Sequence, residues 1–308
     1  MLIVHHSTGS EVDQVCSGTL LAPNLVLTAR HCVAEADSMS ACTSDGTAAS
    51  GGAIYADFDA NELYVFAGVE RPTSGSLAAR SQRGSEIIDD GSTTLCNHDL
   101  ALVLLATPVP DAKVAPVRLD AKTEPAEPVT LVGWGITDAT STVPTTRQQR
   151  TGEGVLAIGP ADGLGAAELE VGEGPCQGDS GGPALAGSGA VIGTLSRGGN
   201  GSEDSGASAC IGARSIYTEV SDFRGLVLSA YARAGQTPWL ESQASPTVAA
   251  ARQAAAPANK GGCVVTGRPV EGAGWLGWLL AAAFAGLLAR YRAAREKFPS
   301  APAARHIE

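Results

Sequence analysis

The chain has 308 residues, a formal net charge of −11, few aromatics and 38 glycines. The segment from Cys263 onward is net basic, so the part before it is more acidic than the whole. Such a surface argues against nucleic acid as a partner, and abundant glycine with few aromatics suits a loop-rich β protein.

Taken in chain order, Cys16 to Cys32 reads as strand, turn, strand. Leu20-Leu21 and Leu25-Val26-Leu27 are the buried runs, and Pro23-Asn24 is the turn between them. His31 then stands where a well-packed strand ends, so its ring can be held with one edge to a cleft. Arg30 before it is expected to point away from that cleft. His5 and His6 are expected at exposed strand or tail positions. The Ser/Gly/Ala-rich region from Glu35 to Ser92 is expected to form extended surface loops rather than another domain.

Asn97-His98-Asp99-Leu100-Ala101-Leu102 places a carboxylate directly before an apolar strand. An aspartate there can be buried against an imidazole N–H, fixing its tautomer and stabilising the imidazolium. His98 lacks comparable flanks and reads as a solvent-facing loop residue.

Further short apolar runs at Val26 to Thr28, Leu102 to Leu105, Val129 to Gly133, Val155 to Ile158, Val191 to Leu195 and Ile216 to Val220 indicate an all-β domain. Between the Val155 to Ile158 and Val191 to Leu195 runs lies Gly174-Pro175-Cys176-Gln177-Gly178-Asp179-Ser180-Gly181-Gly182-Pro183. A nucleophilic serine needs a sharp turn and backbone N–H groups beside it to hold an oxyanion. A bare Gly-Asp-Ser-Gly also reads as a hairpin turn, so this run gains meaning only with a base and an acid elsewhere. Phe223, Leu226, Val227, Ala230 and Tyr231 then fall at helical spacing on one apolar face.

Four blocks now stand in order: Thr28 to Cys32, Asp99 to Leu102, Gly133-Trp134-Gly135, and Gly178 to Pro183. In them the chain resembles the trypsin/chymotrypsin family of serine endopeptidases over roughly residues 1 to 235, with the histidine, aspartate and serine in that family's order. The resemblance implies an all-β fold of two six-stranded antiparallel Greek-key barrels with a C-terminal helix. The first barrel would run to about residue 115, the second from about 128 to 220, and the closing helix from about 222 to 233, within a protease domain of residues 1–240. It implies His31 as general base and then acid, Asp99 as its orienting carboxylate, and Ser180 as nucleophile. The N–H groups of Gly178 and Ser180 would form the oxyanion hole. Protein or peptide substrates are implied, and no metal or cofactor. An esterase using the same triad, or a non-catalytic binding module on the same scaffold, is the competing reading.

The resemblance also implies disulfides Cys16–Cys32 and Cys176–Cys210. Cys42 and Cys96 remain and could bridge each other, although sequence does not fix connectivity; Cys263 is left over. Three bridges imply an oxidising compartment and hence export. Gly174 matches the base of the primary pocket, where an Asp would select basic side chains. Ser196-Arg197-Gly198 matches the strand that binds substrate backbone, with Arg197 in place of a Trp, and Ser215 matches the opposite pocket wall. An uncharged pocket for apolar or smaller residues follows, which Arg197 or Arg214 could alter.

In this family an ammonium freed by cleavage pairs with the aspartate before the nucleophile, here Asp179. Met1 to His6 lies too close to Cys16 to supply it, and no charged n-region and apolar h-region precede the strand. The expectation is a natural start upstream of Met1, with Asp179 unpaired and activity poor in a chain beginning there.

After Trp239 the composition turns to Ala, Ser, Gln and Pro, a flexible linker over 241–262. Cys263, an apolar run from Ala273 to Ala289, and Arg290, Arg292, Arg295 and Lys297 follow. Residues 263–297 resemble myxobacterial C-terminal sorting signals, implying a single transmembrane helix at about 273–291 and a cytoplasmic tail over 298–308. Cys263 would be a processing or lipidation site. The expected location is the cell envelope, with membrane anchoring through the C-terminus.

Overall fold

The computed structural model describes residues 1–6, 14–38, 41–43, 45–111, 113–137, 142–161, 163–200 and 206–245. Cys263, the apolar run and the basic cluster lie outside the described residues. Among the described residues, no helix is long and apolar enough to cross a membrane.

Strand β4 (Leu25–Thr28) shows how the sequence builds the fold. Successive strand side chains point to opposite faces, and all four residues here are buried. Val26 enters one apolar cluster with Ile3, Leu20, Leu63, Val65 and Val103. Leu25 and Leu27 enter another, with Leu102, Leu104, Val191, Val227 and Tyr231. Strand β9 (Ala101–Leu105) divides in the same way and pairs antiparallel with β4. One face of this pair fills the first sheet; the other meets the second barrel and the C-terminal helix. That double burial is why both read as continuous apolar runs.

The first sheet contains β1 (Leu2–His5), β2 (Gln14–Ser17), β3 (Thr19–Ala22), β4, β7 (Leu63–Phe66), β8 (Gln82–Ile88) and β9, in the order β2-β1-β7-β8-β9-β4-β3. Seven strands replace the six expected, and the reason is local. β2 and β3 are separated only by Gly18, where a Cβ would lie 2.8 Å from Ile3 Cδ1 and 2.9 Å from the Leu27 carbonyl. β2 pairs with β1 and β3 with β4, so one nearly continuous stretch supplies both edge strands of a barrel-like sheet.

The second sheet is a closed six-stranded barrel: β10 (Pro128–Gly133), β11 (Gln148–Ile158), β12 (Glu168–Val171), β15 (Arg214–Glu219), β14 (Val191–Gly199) and β13 (Pro183–Ala186), every pair antiparallel. Its interior holds Leu131, Val155, Leu169, Val171, Ile192, Leu195 and Tyr217.

The described residues of 35–92 form more than surface loops. They supply β7 and β8, a hairpin of β5 (Ala34–Ala36) with β6 (Ile54–Asp57), and a short helix α1 (Ser74–Arg80). The closing helix α2 (Arg224–Arg233) buries Val227, Ala230 and Tyr231, side chains whose burial contributes about 1.5–3 kcal/mol each for the larger ones. The Tyr231 hydroxyl donates to the Leu21 carbonyl at 3.1 Å, fastening α2 to the first sheet.

Candidate active site

The β4–β9 register brings the first two site residues together. Thr28 pairs with Ala101 at the end of the ladder. His31 therefore lies three residues beyond one strand, and Asp99 two residues before its neighbour, at the same end. A single helical turn over Arg30–Cys32 presents the imidazole. His31 Nδ1 meets Asp99 Oδ2 at 2.8 Å, and the His31 backbone N–H donates to Asp99 Oδ1 at 3.0 Å. Asp99 is 1% exposed. Ser196 donates its hydroxyl to Asp99 Oδ2 at 2.6 Å.

Burial opposes charge on both partners of this pair. Desolvation alone would lower the His31 pKa, but the adjacent Asp99 carboxylate, through its charge and hydrogen bond, holds it above the ordinary value of 6.5. Desolvation likewise works to raise Asp99, and His31 with Ser196 outweighs it, so its carboxyl is held below the usual range. The ring is thus paired with an ionised acid.

Arg30 is buried and directed away from the cleft, pairing with Asp57 of β6 and lying 3.6 Å from Asp89. His98 is half-exposed and bonded to Asp90 at 2.5 Å, outside the site. His5, expected to be exposed, is instead largely covered, because its ring stacks on Phe58 with centroids 3.6 Å apart.

Ser180 lies on the loop between β12 and β13. Gly178 adopts φ +95° and Gly181 φ +76°, conformations that favour glycine. A Cβ on Gly181 would sit 2.1 Å from Thr28 Oγ1 and 2.6 Å from the Ser17 carbonyl oxygen, so this turn packs directly on the first sheet. The Ser17 N–H donates to the Ser180 carbonyl at 2.7 Å, and Gly181 N–H donates to the Leu195 carbonyl at 2.8 Å. Ser180, His31 and Asp99 line one cleft of about 530 Å³, together with Gln14, Glu35, Asp37, Ser196, Arg197 and Gly198. Among the described residues no hydrogen bond joins Ser180 Oγ to His31; such contacts commonly tighten only when substrate binds.

Among the described residues Asp179 has no ammonium partner, and its carboxylate is held by backbone groups instead. It accepts N–H bonds from Gly135 at 2.7 Å and Cys176 at 2.9 Å, and a Cβ on Gly133 would collide with its carboxylate. Burial pushes its pKa up, while the backbone N–H groups of Cys176 and Gly135, then the Arg71 guanidinium, pull the other way. Arg71 itself donates to the carbonyls of Trp134 and, at 3.1 Å, Pro144. Residue 71 lies far from any recognisable site block, so nothing local in the sequence announced it. The Met1 ammonium is bonded elsewhere, to the Gly18 carbonyl, and burial pushes its pKa down to about 5.

The specificity residues divide among different surroundings. Gly174 borders a second cavity of about 430 Å³ behind the serine loop, shared with Asp179, Gly133 and Tyr217. Pro175, Cys176 and Cys210 border both cavities. Ser215 is wholly buried on β15 and lines neither. The Arg197 guanidinium grips both oxygens of Glu168 at 2.6 and 2.7 Å and donates to the Gly163 carbonyl. Arg214 binds both oxygens of Glu170. Each of these arginines already has a carboxylate of its own on β12, a feature hidden from the sequence.

Among the described residues three disulfides are present: Cys16–Cys32, Cys42–Cys96 and Cys176–Cys210. The first ties β2 to the turn bearing His31, and the third ties the serine loop to the segment before β15.

The family model described as Trypsin matches residues 2–227. The chain belongs to the trypsin family. A solved structure, neuropsin, a serine protease expressed in the limbic system of mouse brain, is similar over 74% of this chain and 92% of its own, with 17% identity and a TM-score of 0.50. That likeness speaks to the fold: mostly β, with two barrel-like sheets and a C-terminal helix.

Proposed function

We propose that this chain is a serine endopeptidase that cleaves peptide bonds through an acyl-enzyme. Ser180 Oγ attacks the scissile carbonyl while His31 takes its proton. Asp99 keeps the ring oriented and stabilises the imidazolium. The N–H groups of Gly178 and Ser180 receive the oxyanion. His31 then returns the proton to the leaving amine, and water repeats the sequence to release the acid. The observation that carries this reading is the buried Asp99 carboxylate, bonded to both the His31 ring and backbone in the cleft that Ser180 lines.

Primary specificity in this reading is non-basic. Gly174 brings no carboxylate, and the side-chain atoms nearest it belong to Arg150 and Leu131. Arg197 and Arg214 are each held by a glutamate, so neither is offered as a free cation for an acidic side chain. Export is supported by the three disulfides, which persist in oxidising compartments. Anchoring at the cell envelope rests on the sequence of Cys263 to Lys297 alone, including its likeness to myxobacterial sorting signals.

The test is digestion of a defined mixture of unmodified peptides by the full chain and by Ser180→Ala, with products read by mass spectrometry. Cleavage after uncharged residues by the wild type only is the expected result. Cleavage confined to Arg and Lys would overturn the specificity. Ester hydrolysis without peptide cleavage would overturn the peptidase reading.

A further inference from the structure

Ser17 reaches across from the first sheet and holds the serine loop at two points. Its backbone N–H donates to the Ser180 carbonyl at 2.7 Å. Its hydroxyl, buried at 1% residue exposure, donates to the Gly178 carbonyl at 2.9 Å. The same oxygen accepts the Trp134 N–H at 3.0 Å, which leaves the hydroxyl proton directed at Gly178. Thr28 in turn donates to the Ser17 carbonyl at 2.8 Å.

The positions of these bonds matter more than their number. The Gly178 carbonyl belongs to the peptide joining residues 178 and 179, and the Ser180 carbonyl to that joining 180 and 181. Between them stands one peptide unit, and it carries the Ser180 N–H. That unit is held by its own carbonyl, which accepts the Gly182 N–H at 2.8 Å, and Ser17 fixes the planar units on either side, between which it hinges. Gly178, at φ +95°, has no side chain to restrict it. The residue beside Trp134 is Gly135, whose N–H holds Asp179 in that central unit. Cys16, beside Ser17, is bonded to Cys32, beside His31. One residue therefore links the loop bearing the base to the loop bearing the nucleophile.

We infer that Ser17 is a positioning residue for the oxyanion hole: by fixing the Gly178 carbonyl, its hydroxyl supports the orientation of the Ser180 N–H group. The inference rests on the function proposed above. A direct oxyanion donor is worth about 10²–10³ in kcat, so an indirect support is expected to be worth about tenfold.

The experiment compares the full chain with Ser17→Ala, Ser17→Gly and Ser17→Thr. Both Ala and Gly keep the backbone N–H and lose the hydroxyl, and Gly gives a second route should Ala not fold; Thr keeps the donor. Three readings are taken: fluorophosphonate labelling, kcat and KM on one peptide, and affinity for a peptide aldehyde whose hemiacetal oxygen occupies the oxyanion position. The expected result is a kcat about tenfold lower in Ala and Gly with KM within about twofold, an equal loss of aldehyde affinity, and near-wild-type values for Thr. Folded Ala or Gly variants with unchanged kcat and aldehyde affinity would overturn the inference alone. A wild-type chain that neither labels nor cleaves would overturn the proposed function and this inference together.

Discussion

Ser196 and His31 share one oxygen of Asp99: the serine hydroxyl reaches Oδ2 at 2.6 Å and the imidazole Nδ1 at 2.8 Å. Ser196, expected to serve the substrate strand, therefore has its side chain committed to the buried acid. Removing it with Ser196→Ala leaves Asp99 short of one charge-assisted bond. Such a bond is worth about 1.5–3 kcal/mol, and urea unfolding at neutral pH should show a loss of that size. A variant as stable as wild type would show that the contact contributes nothing.

The His31–Asp99 pair fixes the sign of the pH dependence. His31 works as a base only when neutral, and its pKa is held above 6.5. The pH profile of kcat/KM should rise through a midpoint above 6.5 and fall away on acidification. The stability linkage runs oppositely: the raised pKa contributes stability below about 6.5 that is lost as pH rises through the folded value. Asp99→Asn removes the raising influence and leaves desolvation. The midpoint should move down, with kcat about 10⁴-fold lower. A wild-type midpoint at or below 6.5 would contradict the assignment.

Glu168 is wholly buried, and Arg197 engages both its oxygens. Breaking a buried pair from one side costs about 3–5 kcal/mol, because the remaining charge is left without compensation. Glu168→Gln should unfold at correspondingly lower urea, and the double variant Glu168→Gln with Arg197→Met should regain much of the loss. Equal stability of the single variant and the wild type would argue that Arg197 turns out to solvent.

Gly181→Ala tests the packing of the serine loop on the first sheet. A left-handed φ and a Cβ 2.1 Å from Thr28 Oγ1 act together here. Backbone strain of this kind costs about 1–3 kcal/mol before the collision is counted. Thermal unfolding should drop and peptide cleavage should be lost.

The site blocks were legible because each is local. The β4 run ends three residues before His31, the β9 run begins just after Asp99, and the serine sits among four glycines within ten residues. The apolar face of α2 was legible for the same reason, since its period is written in consecutive turns. What escaped depends on distant partners. Ser17 meets Gly178 across 161 positions, and Arg30 meets Asp57 across 27. His5 is covered by Phe58, which arrives through the β5–β6 hairpin and so leaves no local signal beside His5. Helix α1 spans seven residues beginning Ser-Gly-Ser, too short and too glycine-rich for a periodic signal. The seventh strand of the first sheet arises where the chain passes Gly18 and its partner changes from β1 to β4.

The central claim is that His31 and Asp99 activate Ser180 as a nucleophile. It is tested most directly by treating the native full chain with a fluorophosphonate and mapping the adduct by mass spectrometry. The account predicts a single phosphonylated residue, Ser180, with labelling abolished in Ser180→Ala and strongly slowed in His31→Ala. Labelling at another serine, or at an undiminished rate in His31→Ala, would contradict it.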